Sequence, residues 1–359
     1  MPLGELRTGR LRFHTWPDRN QKSRESVPFN TKNPMSDLLI HIGYHKTAST
    51  WLQKELFSRR QAGFGRLRNL RRTVHAPHAL DFDPKRCYAH FHNPLKRIRG
   101  RRLMPVLSHE RLSGSPHSGG YDSKEIADRL ATLFPESRIL IVIREQQSAI
   151  LSCYKQYVRV GGAGRLKQYV VAPSRGQFRI PLFSFDFFAY DRLIRYYIQL
   201  YGASRVLVLP FELFQHSPRQ FIERIMAFSG AVPQSGVVAT LPYHRKENPS
   251  KDAVSVCLSR LCNLIAGDDS VNPIALIRSV RAAKMLRRGA DVFGGLAANS
   301  MQSRIERRWR EQIGMWVGNR YAESNAATTR LTGLDLAEFG YDVKRDAMRS
   351  THQEQEKAA

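Results

Sequence analysis

The 359-residue chain is predicted to fold as a three-layer α/β/α protein, with a mostly parallel central sheet and a helical C-terminal part. Two observations predict this class. Short apolar, β-branched runs alternate with amphipathic segments, which is the order of parallel strands joined by crossover helices. From about residue 250 the pattern is mainly helical, and we find no internal repeat.

Each expected strand is an apolar run that ends at polar or charged residues. Strands are expected near 38–43, 104–108, 138–143 and 205–209. Helices are expected at 49–58, 123–134, 146–159, 186–201 and 217–229. Asp122 and Ser123 stand at the start of the second of these helices and are its candidate cap residues.

The ends of the chain differ in composition from its body. Residues 1–35 are rich in Arg, Pro, Asn and Ser, so we expect a flexible basic extension. A single α/β domain is expected over 36–342, followed by a disordered polar tail over 343–359. Met35 stands just before the first strand, and we hypothesise that translation starts there.

The composition also indicates in which compartment of the cell the protein is expected. No run of eighteen apolar residues suggests a membrane span, and the basic N-terminus lacks the apolar core of a secretory signal. The four cysteines have neither metal-site nor disulfide-framework spacing, and we expect buried, reduced thiols. These features predict a cytoplasmic protein.

The most informative stretch is Leu38–Gln53, in which an apolar run stops at Gly43 and a helical pattern follows. Lys46 and three hydroxyl residues, Thr47, Ser49 and Thr50, crowd the joint. Backbone amides and the positive end of a helix dipole make such a joint an anion site. The spacing differs from the standard P-loop, whose Lys directly precedes the last hydroxyl residue. An ordinary strand-to-helix turn with polar surface residues is the alternative.

Two further strand ends carry candidate site residues. Arg144 closes the run 138–143, and Ser152 lies about two helical turns further on. The run 103–108 is followed by His109 and Glu110, and catalytic side chains of open α/β sheets gather at such ends. A carboxylate there is suited to take a proton from a hydroxyl group, so Glu110 is the expected base, with His109 as substitute. The alternative is a structural ion pair of Glu110 with Arg111 or Arg101.

The segment Lys46–Trp51 resembles the 5′-phosphosulfate loop of the sulfotransferases, usually Lys-[Thr/Ser]-Gly-Thr-Thr. Arg144 and Ser152 stand at the spacing of that family's 3′-phosphate residues. The segment from Ser108 to Ser113 resembles bacterial members acting on carbohydrate. The likeness runs from about Met35 to Tyr341. It implies a P-loop NTPase-like fold and 3′-phosphoadenosine 5′-phosphosulfate as donor.

The resemblance also implies roles for individual residues. Lys46 would stabilise the oxygen that bridges sulfur and phosphorus, and Glu110 would deprotonate the acceptor. Arg144 and Ser152 would hold the 3′-phosphate, with Arg245 and Lys246 in a basic loop nearby. No metal would be required. The implied donor-binding segment consists of His45, Lys46, Thr47, Ala48, Ser49, Thr50 and Trp51.

Two departures from the family pattern stand out. Glu145-Gln146 replaces the usual Asp-Pro after the strand, and Ala48 stands where the loop normally has Gly. A positive φ at Ala48 would disfavour Ala and weaken donor binding. A degenerate, non-catalytic member of the fold therefore stays open.

The formal net charge of +26 needs a cause. Solvated Arg faces are one interpretation, and an anionic acceptor is another: an acidic glycan, or a glycolipid at an anionic membrane surface. Nucleic acid is the third, but no nucleic-acid-binding motif appears. The function predicted is thus sulfuryl transfer to a hydroxyl of a glycan or glycolipid. The alternatives are an ATP- and Mg²⁺-dependent kinase and a non-catalytic polyanion-binding protein.

Overall fold

Five parallel strands form the central sheet of the protein, whose computed structural model describes residues 38–171, 181–245, 251–267, 272 and 275–344. The strands are β1 Leu39–His41, β2 Phe64–Arg66, β3 Met104–Ser108, β4 Arg138–Ile143 and β5 Val206–Pro210. Their order is β2-β3-β1-β4-β5. The predicted mostly parallel sheet is confirmed. The expected extension 1–35, Met35 and Lys246 lie outside the described residues, and the domain boundaries stay predictions.

The strand order places β1 at the centre of the sheet. His41 at its end lies opposite Ser108 of β3 and Leu140 of β4. All strands point the same way, so the segments that follow β1, β3 and β4 emerge at one edge. The loop after β1 thus lies between the end of β3 and the end of β4.

Alternation along the strands separates two cores, as the pleat of a sheet requires. Ile139 and Ile141 belong to one apolar cluster, which also includes residues of three helices, α3 (Ser123–Leu133), α4 (Gln146–Arg159) and α6 (Tyr190–Tyr201). Leu140 and Val142 belong to the other, which includes residues of α8 (Pro218–Ser229) and of the helical segment after β1. Apolar layers on both faces of the sheet confirm the three-layer architecture.

Helices cover both faces and build the C-terminal part. They are α1 Ser49–Trp51, α2 Pro84–Arg99, α3 Ser123–Leu133, α4 Gln146–Arg159, α5 Leu166–Val170, α6 Tyr190–Tyr201, α7 Phe211–His216, α8 Pro218–Ser229, α9 Ala253–Ile265, α10 Val280–Gly295, α11 Asn299–Val317 and α12 Ala322–Thr332. Two two-residue strands, β6 Ala266–Gly267 and β7 Ile277–Arg278, pair beside α9 and α10. None of the described helices is long and apolar enough to cross a bilayer.

The observed helices agree closely with the predicted ones, with three differences. The helix expected at 49–58 is a single turn, α1, continued by a wider π turn over Leu52–Leu56. The helix expected from 186 begins at Tyr190, after a 3₁₀ turn over Phe185–Phe188. Asp122 does not cap α3 through its side chain: its carboxylate accepts the Ser115 N–H at 2.8 Å. Asp122 nevertheless occupies the N-cap position of α3, as expected.

Candidate functional site

The loop between β1 and α1 has an unusual backbone. Lys46 has a φ of 67° and Ala48 a φ of 58°, both in the left-handed region. Positive φ is uncommon for residues other than glycine, and two of the four such residues in the described ranges lie in this loop. Ala48 therefore has the positive φ that disfavours alanine, a conformation that glycine adopts more easily.

Gly43 is required by close approach. A Cβ atom at this position would lie 2.7 Å from His41 Nε2 and 2.7 Å from Ser49 Oγ. Both polar atoms are buried, and neither has a hydrogen-bond partner among the described residues. Buried polar atoms are normally paired, so two unpaired ones at one loop point to a polar ligand there.

The hydroxyl residues of the loop do not all face the same way. Thr47 is fully buried, and its Oγ1 donates to the carbonyl of Tyr44 at 2.6 Å. Its single proton is thus used within the loop. Thr50 is half-buried. Ser49 is therefore the loop hydroxyl whose geometry best suits contact with an anion.

Positive charge converges on Lys46. Burial lowers the pKa of its ammonium first, and the nearby guanidinium groups of Arg159 and Arg144 and the ammonium of Lys155 lower it further. Arg144 also donates from Nη1 to the Lys46 carbonyl at 3.1 Å, and its guanidinium lies over the Phe211 ring. Burial and neighbouring cations together lower this pKa, so Lys46 lies among positive groups, of which Lys155 is itself paired with Glu306.

One face of α4 carries two of these cations. Ser152, Lys155 and Arg159 are three and four residues apart, so they line the same side of the helix. Ser152 is buried, and Lys155 is buried with its ammonium 3.2 Å from Glu306 Oε2. Sequence reasoning found Ser152 but missed Lys155 and Arg159. Their helical spacing from Ser152 was the signal that could have found them.

The end of β3 presents Glu110. Arg111 does not pair with it, since its guanidinium lies 3.3 Å from Asp122 Oδ2. Within the described ranges no ion pair joins Glu110 to Arg111 or Arg101, so the structural ion pair considered as an alternative is not formed. Arg66 at the end of β2 is an electrostatic neighbour of Glu110: burial and Arg68 lower the pKa of Arg66, and Glu110 raises it. The Glu110 carboxylate is half-buried.

His109 is committed to a local turn. Its Nδ1 accepts the Arg111 backbone N–H at 3.0 Å. In its neutral form this ring must then carry its proton on Nε2, which leaves no free acceptor nitrogen. This geometry does not favour His109 as a substitute base. His75, which sequence reasoning missed, lies with its ring centroid 5.3 Å from that of His109, and no motif marked it.

The other expected donor contacts have structural partners. Burial lowers the pKa of His45 to about 3, and its Nδ1 lies 3.4 Å from the Gln156 amide. Trp51 donates from Nε1 to the Pro242 carbonyl at 3.2 Å and stacks on Tyr243. These contacts hold the segment that leads to Arg245, whose guanidinium lies 3.2 Å from Glu55. Lys246, next in the chain, is outside the described residues.

The site combines the loop between β1 and α1 with basic side chains and the Glu110 carboxylate. Around the central loop, the cations of α4 and Arg144 lie on the β4 side and Glu110 on the β3 side. Such a site can bind a phosphate-like group and abstract a proton next to it. In the described ranges no three His, Cys, Asp or Glu side chains cluster as metal ligands would. The expectation that no metal is required stays a prediction.

Comparison with known proteins gives distant structural likenesses alone. No protein-family model and no curated protein matches the sequence. Fifteen chains among the solved structures match it, and one is a sulfotransferase from Alicyclobacillus acidocaldarius. The two chains are 16% identical, the match covers 69% of this chain and 98% of the other, and the TM-score is 0.42. At this identity and TM-score the likeness does not define the function of this chain.

Proposed function

We propose that this protein is a sulfotransferase that moves a sulfuryl group from 3′-phosphoadenosine 5′-phosphosulfate to a hydroxyl group. The observation that carries the proposal is the convergence of cations on Lys46 beside the buried, unpaired Ser49 hydroxyl. A donor with anionic groups at both its 5′ and 3′ positions fits a site whose positive charge extends from the loop along α4.

Lys46 and Ser49 are assigned to the 5′ end of the donor. Negative charge develops on the oxygen left on phosphorus as its bond to sulfur breaks, and the Lys46 ammonium neutralises that charge. Placing fixed cations where charge develops supplies much of the catalysis in the analogous phosphoryl transfer. The neighbouring cations also attract an anionic ligand towards Lys46.

Arg144 and Ser152 are assigned to the 3′-phosphate. Only one amino group of the Arg144 guanidinium, Nη1, is bound to the Lys46 carbonyl, which leaves further N–H groups for a ligand. Ser152 lies on the face of α4 that also carries Lys155 and Arg159. We add Arg159 to the donor site, since after burial it lowers the Lys46 pKa most, whereas Lys155 is paired with Glu306.

Glu110 is assigned as the general base. It takes the acceptor's hydroxyl proton while the new sulfur–oxygen bond forms and the bond from sulfur to the 5′-phosphate oxygen breaks. The adenosine bisphosphate leaves with the charge that Lys46 stabilises. The free Glu110 carboxylate supports this role because no ion pair within the described residues holds it. A carbohydrate or glycolipid hydroxyl is the acceptor class we propose, on the resemblance of the segment after β3.

The first test is calorimetric binding of 3′-phosphoadenosine 5′-phosphate without metal, with 5′-AMP and ATP as comparators. We expect binding that requires the 3′-phosphate. Ser152→Ala should weaken it, whereas binding of 5′-AMP should change little. Ser152 is preferred to Arg144 for this test, because removal of Arg144 would also release the Lys46 carbonyl.

Charge removal at the loop needs a matched control. Lys46→Met removes one positive charge and keeps the chain length, and it should lower bisphosphate affinity by about tenfold or more, the usual worth of a charge-assisted contact. Lys96→Met removes the same charge from the exposed end of α2 and should leave affinity unchanged. Equal losses in both variants would mean that only net charge matters, as expected of a simple polyanion binder.

The base is tested separately from the donor site. Glu110→Gln should abolish transfer to any acceptor found and leave bisphosphate affinity nearly unchanged. Full activity in that variant would remove Glu110 from the mechanism. Preference for ATP with Mg²⁺ over the bisphosphate would instead favour the kinase alternative.

A further inference from the structure

A stripe of apolar side chains lies exposed on α10. This helix buries Ala283, Ala290 and Gly294 on one side. On another side Met285 is 72% exposed, Val292 64% and Leu296, just beyond the helix end, 77%. The three residues are seven and four positions apart, so they form one stripe. A stripe turned away from the core serves no purpose in packing this domain.

Neighbouring elements extend the stripe into a patch. The Cys262 thiol of α9 lies 3.6 Å from the Leu286 carbonyl, so the exposed residues around Cys262 are close to α10. Phe293 on α10 is 70% exposed and Leu276 beside β7 is 84% exposed. We call this surface the α9–α10 face; its exposed apolar residues are Leu261, Leu264, Ile265, Leu276, Ile277, Val280, Met285, Leu286, Val292, Phe293 and Leu296.

The same segment is strongly basic. Between Leu276 and Leu296 the acidic residue is Asp291, and its carboxylate is paired with Lys251 at 2.5 Å. The basic residues of this stretch are Arg278, Arg281, Lys284, Arg287 and Arg288. Exposed apolar side chains bordered by Arg281, Lys284 and Arg288 combine two separate attractions: to hydrocarbon and to negative charge.

The combination of exposed apolar side chains and cations favours some partners of this face over others. In a symmetric dimer built on this face, the two copies would bring the same basic stretch together, which is unfavourable. A bilayer with anionic lipids satisfies both parts: apolar side chains enter the boundary of the acyl chains, and Arg and Lys reach the headgroups. We propose that the α9–α10 face docks this protein on the surface of an anionic membrane.

The test is flotation of the full-length protein with phosphatidylcholine vesicles, with and without phosphatidylglycerol. We expect binding that requires phosphatidylglycerol and falls steeply as salt is raised from about 0.1 M to about 1 M, where the Debye length is about 3 Å. Binding to neutral vesicles as strong as to anionic ones, or no binding to either, would overturn the proposal.

Matched variants localise the contact. Each basic residue near an anionic surface is worth about fivefold in binding, so neutralising Arg281, Lys284 and Arg288 to Gln should lower it about a hundredfold. Neutralising Lys96, Arg97 and Arg101 to Gln removes the same charge from the end of α2 and the residues just after it, and should have a much smaller effect. Equal losses in the two triple variants would overturn the assignment to this face.

The apolar part has its own variant and control. Met285→Ser, Val292→Ser and Phe293→Ser together should reduce vesicle binding at constant charge, whereas Leu80→Ser with Val232→Ser, at exposed sites elsewhere, should not. Light scattering of the wild-type protein should show a monomer. A dimer that the triple Ser variant dissociates would assign the face to a second copy of the chain and overturn the membrane proposal.

Discussion

Ala48→Gly should stabilise the protein, although glycine usually destabilises. Ala48 has a φ of 58° and a ψ of 13°, so its methyl group is held in the left-handed region. That conformation costs an L-residue about 1–2 kcal/mol, and glycine avoids the cost. Glycine makes the unfolded chain more flexible, which offsets about 0.4–1 kcal/mol of the gain. We therefore expect a net increase in the free energy of unfolding of about 1 kcal/mol.

Urea unfolding monitored by circular dichroism measures this difference directly. The matched control is Ala327→Gly, in the middle of α12, where the same change should cost about 1 kcal/mol. Opposite signs in the two variants would support the strained loop. A loss of stability in Ala48→Gly similar to that in Ala327→Gly would refute it. If the strain also weakens donor binding, bisphosphate affinity should rise in Ala48→Gly.

Two further predictions concern the same loop. Gly43→Ala should lower both stability and bisphosphate affinity, because its methyl would press on His41 Nε2 and Ser49 Oγ; unchanged affinity in a calorimetric titration would contradict it. Acid should destabilise the fold, since the pKa values of His41 and His45 are lowered to about 3, mainly by burial. Above about pH 6.5 the two histidines are neutral in both states and do not affect stability. As the pH falls towards about 3, they bind protons in the unfolded chain but not in the folded one. This difference lowers the free energy of unfolding by about 4 kcal/mol for the pair at pH 5. His45→Gln should lose about 2 kcal/mol less than wild type between pH 7.5 and pH 5 in urea unfolding.

The sheet was predictable because its strands are continuous apolar runs. The strands β3 and β4 were expected at 104–108 and 138–143, and both have those bounds. The strand β2 and the helix α2 were not expected. β2 has three residues, two of them Gly65 and Arg66, so its sequence carries no apolar run. α2 has Pro94 in its interior, a residue that normally argues against a helix.

The candidate site was predictable where it depends on spacing along the chain. Lys46, Arg144 and Glu110 were found because each follows a strand. The direction of a hydroxyl group is set by tertiary contacts, so the sequence could not tell that Thr47 bonds to Tyr44 while Ser49 stays unpaired. The commitment of His109 Nδ1 to a backbone amide is likewise a property of the folded turn.

Part of the large positive charge lies on two surfaces, the site around Lys46 and the α9–α10 face. The cations near Lys46 adjoin buried polar atoms, whereas those of α10 border exposed apolar side chains. The two surfaces adjoin, since Arg287 of α10 donates to the Arg159 carbonyl at 2.9 Å. If they nevertheless have separate ligands, neutralising Arg281, Lys284 and Arg288 should lower bisphosphate affinity at physiological salt far less than Lys46→Met does, because salt screens surface charges. Lys46→Met should in turn lower vesicle binding far less than the triple variant does. Loss of both activities in either variant would mean that the charge acts as one diffuse polyanion-binding field.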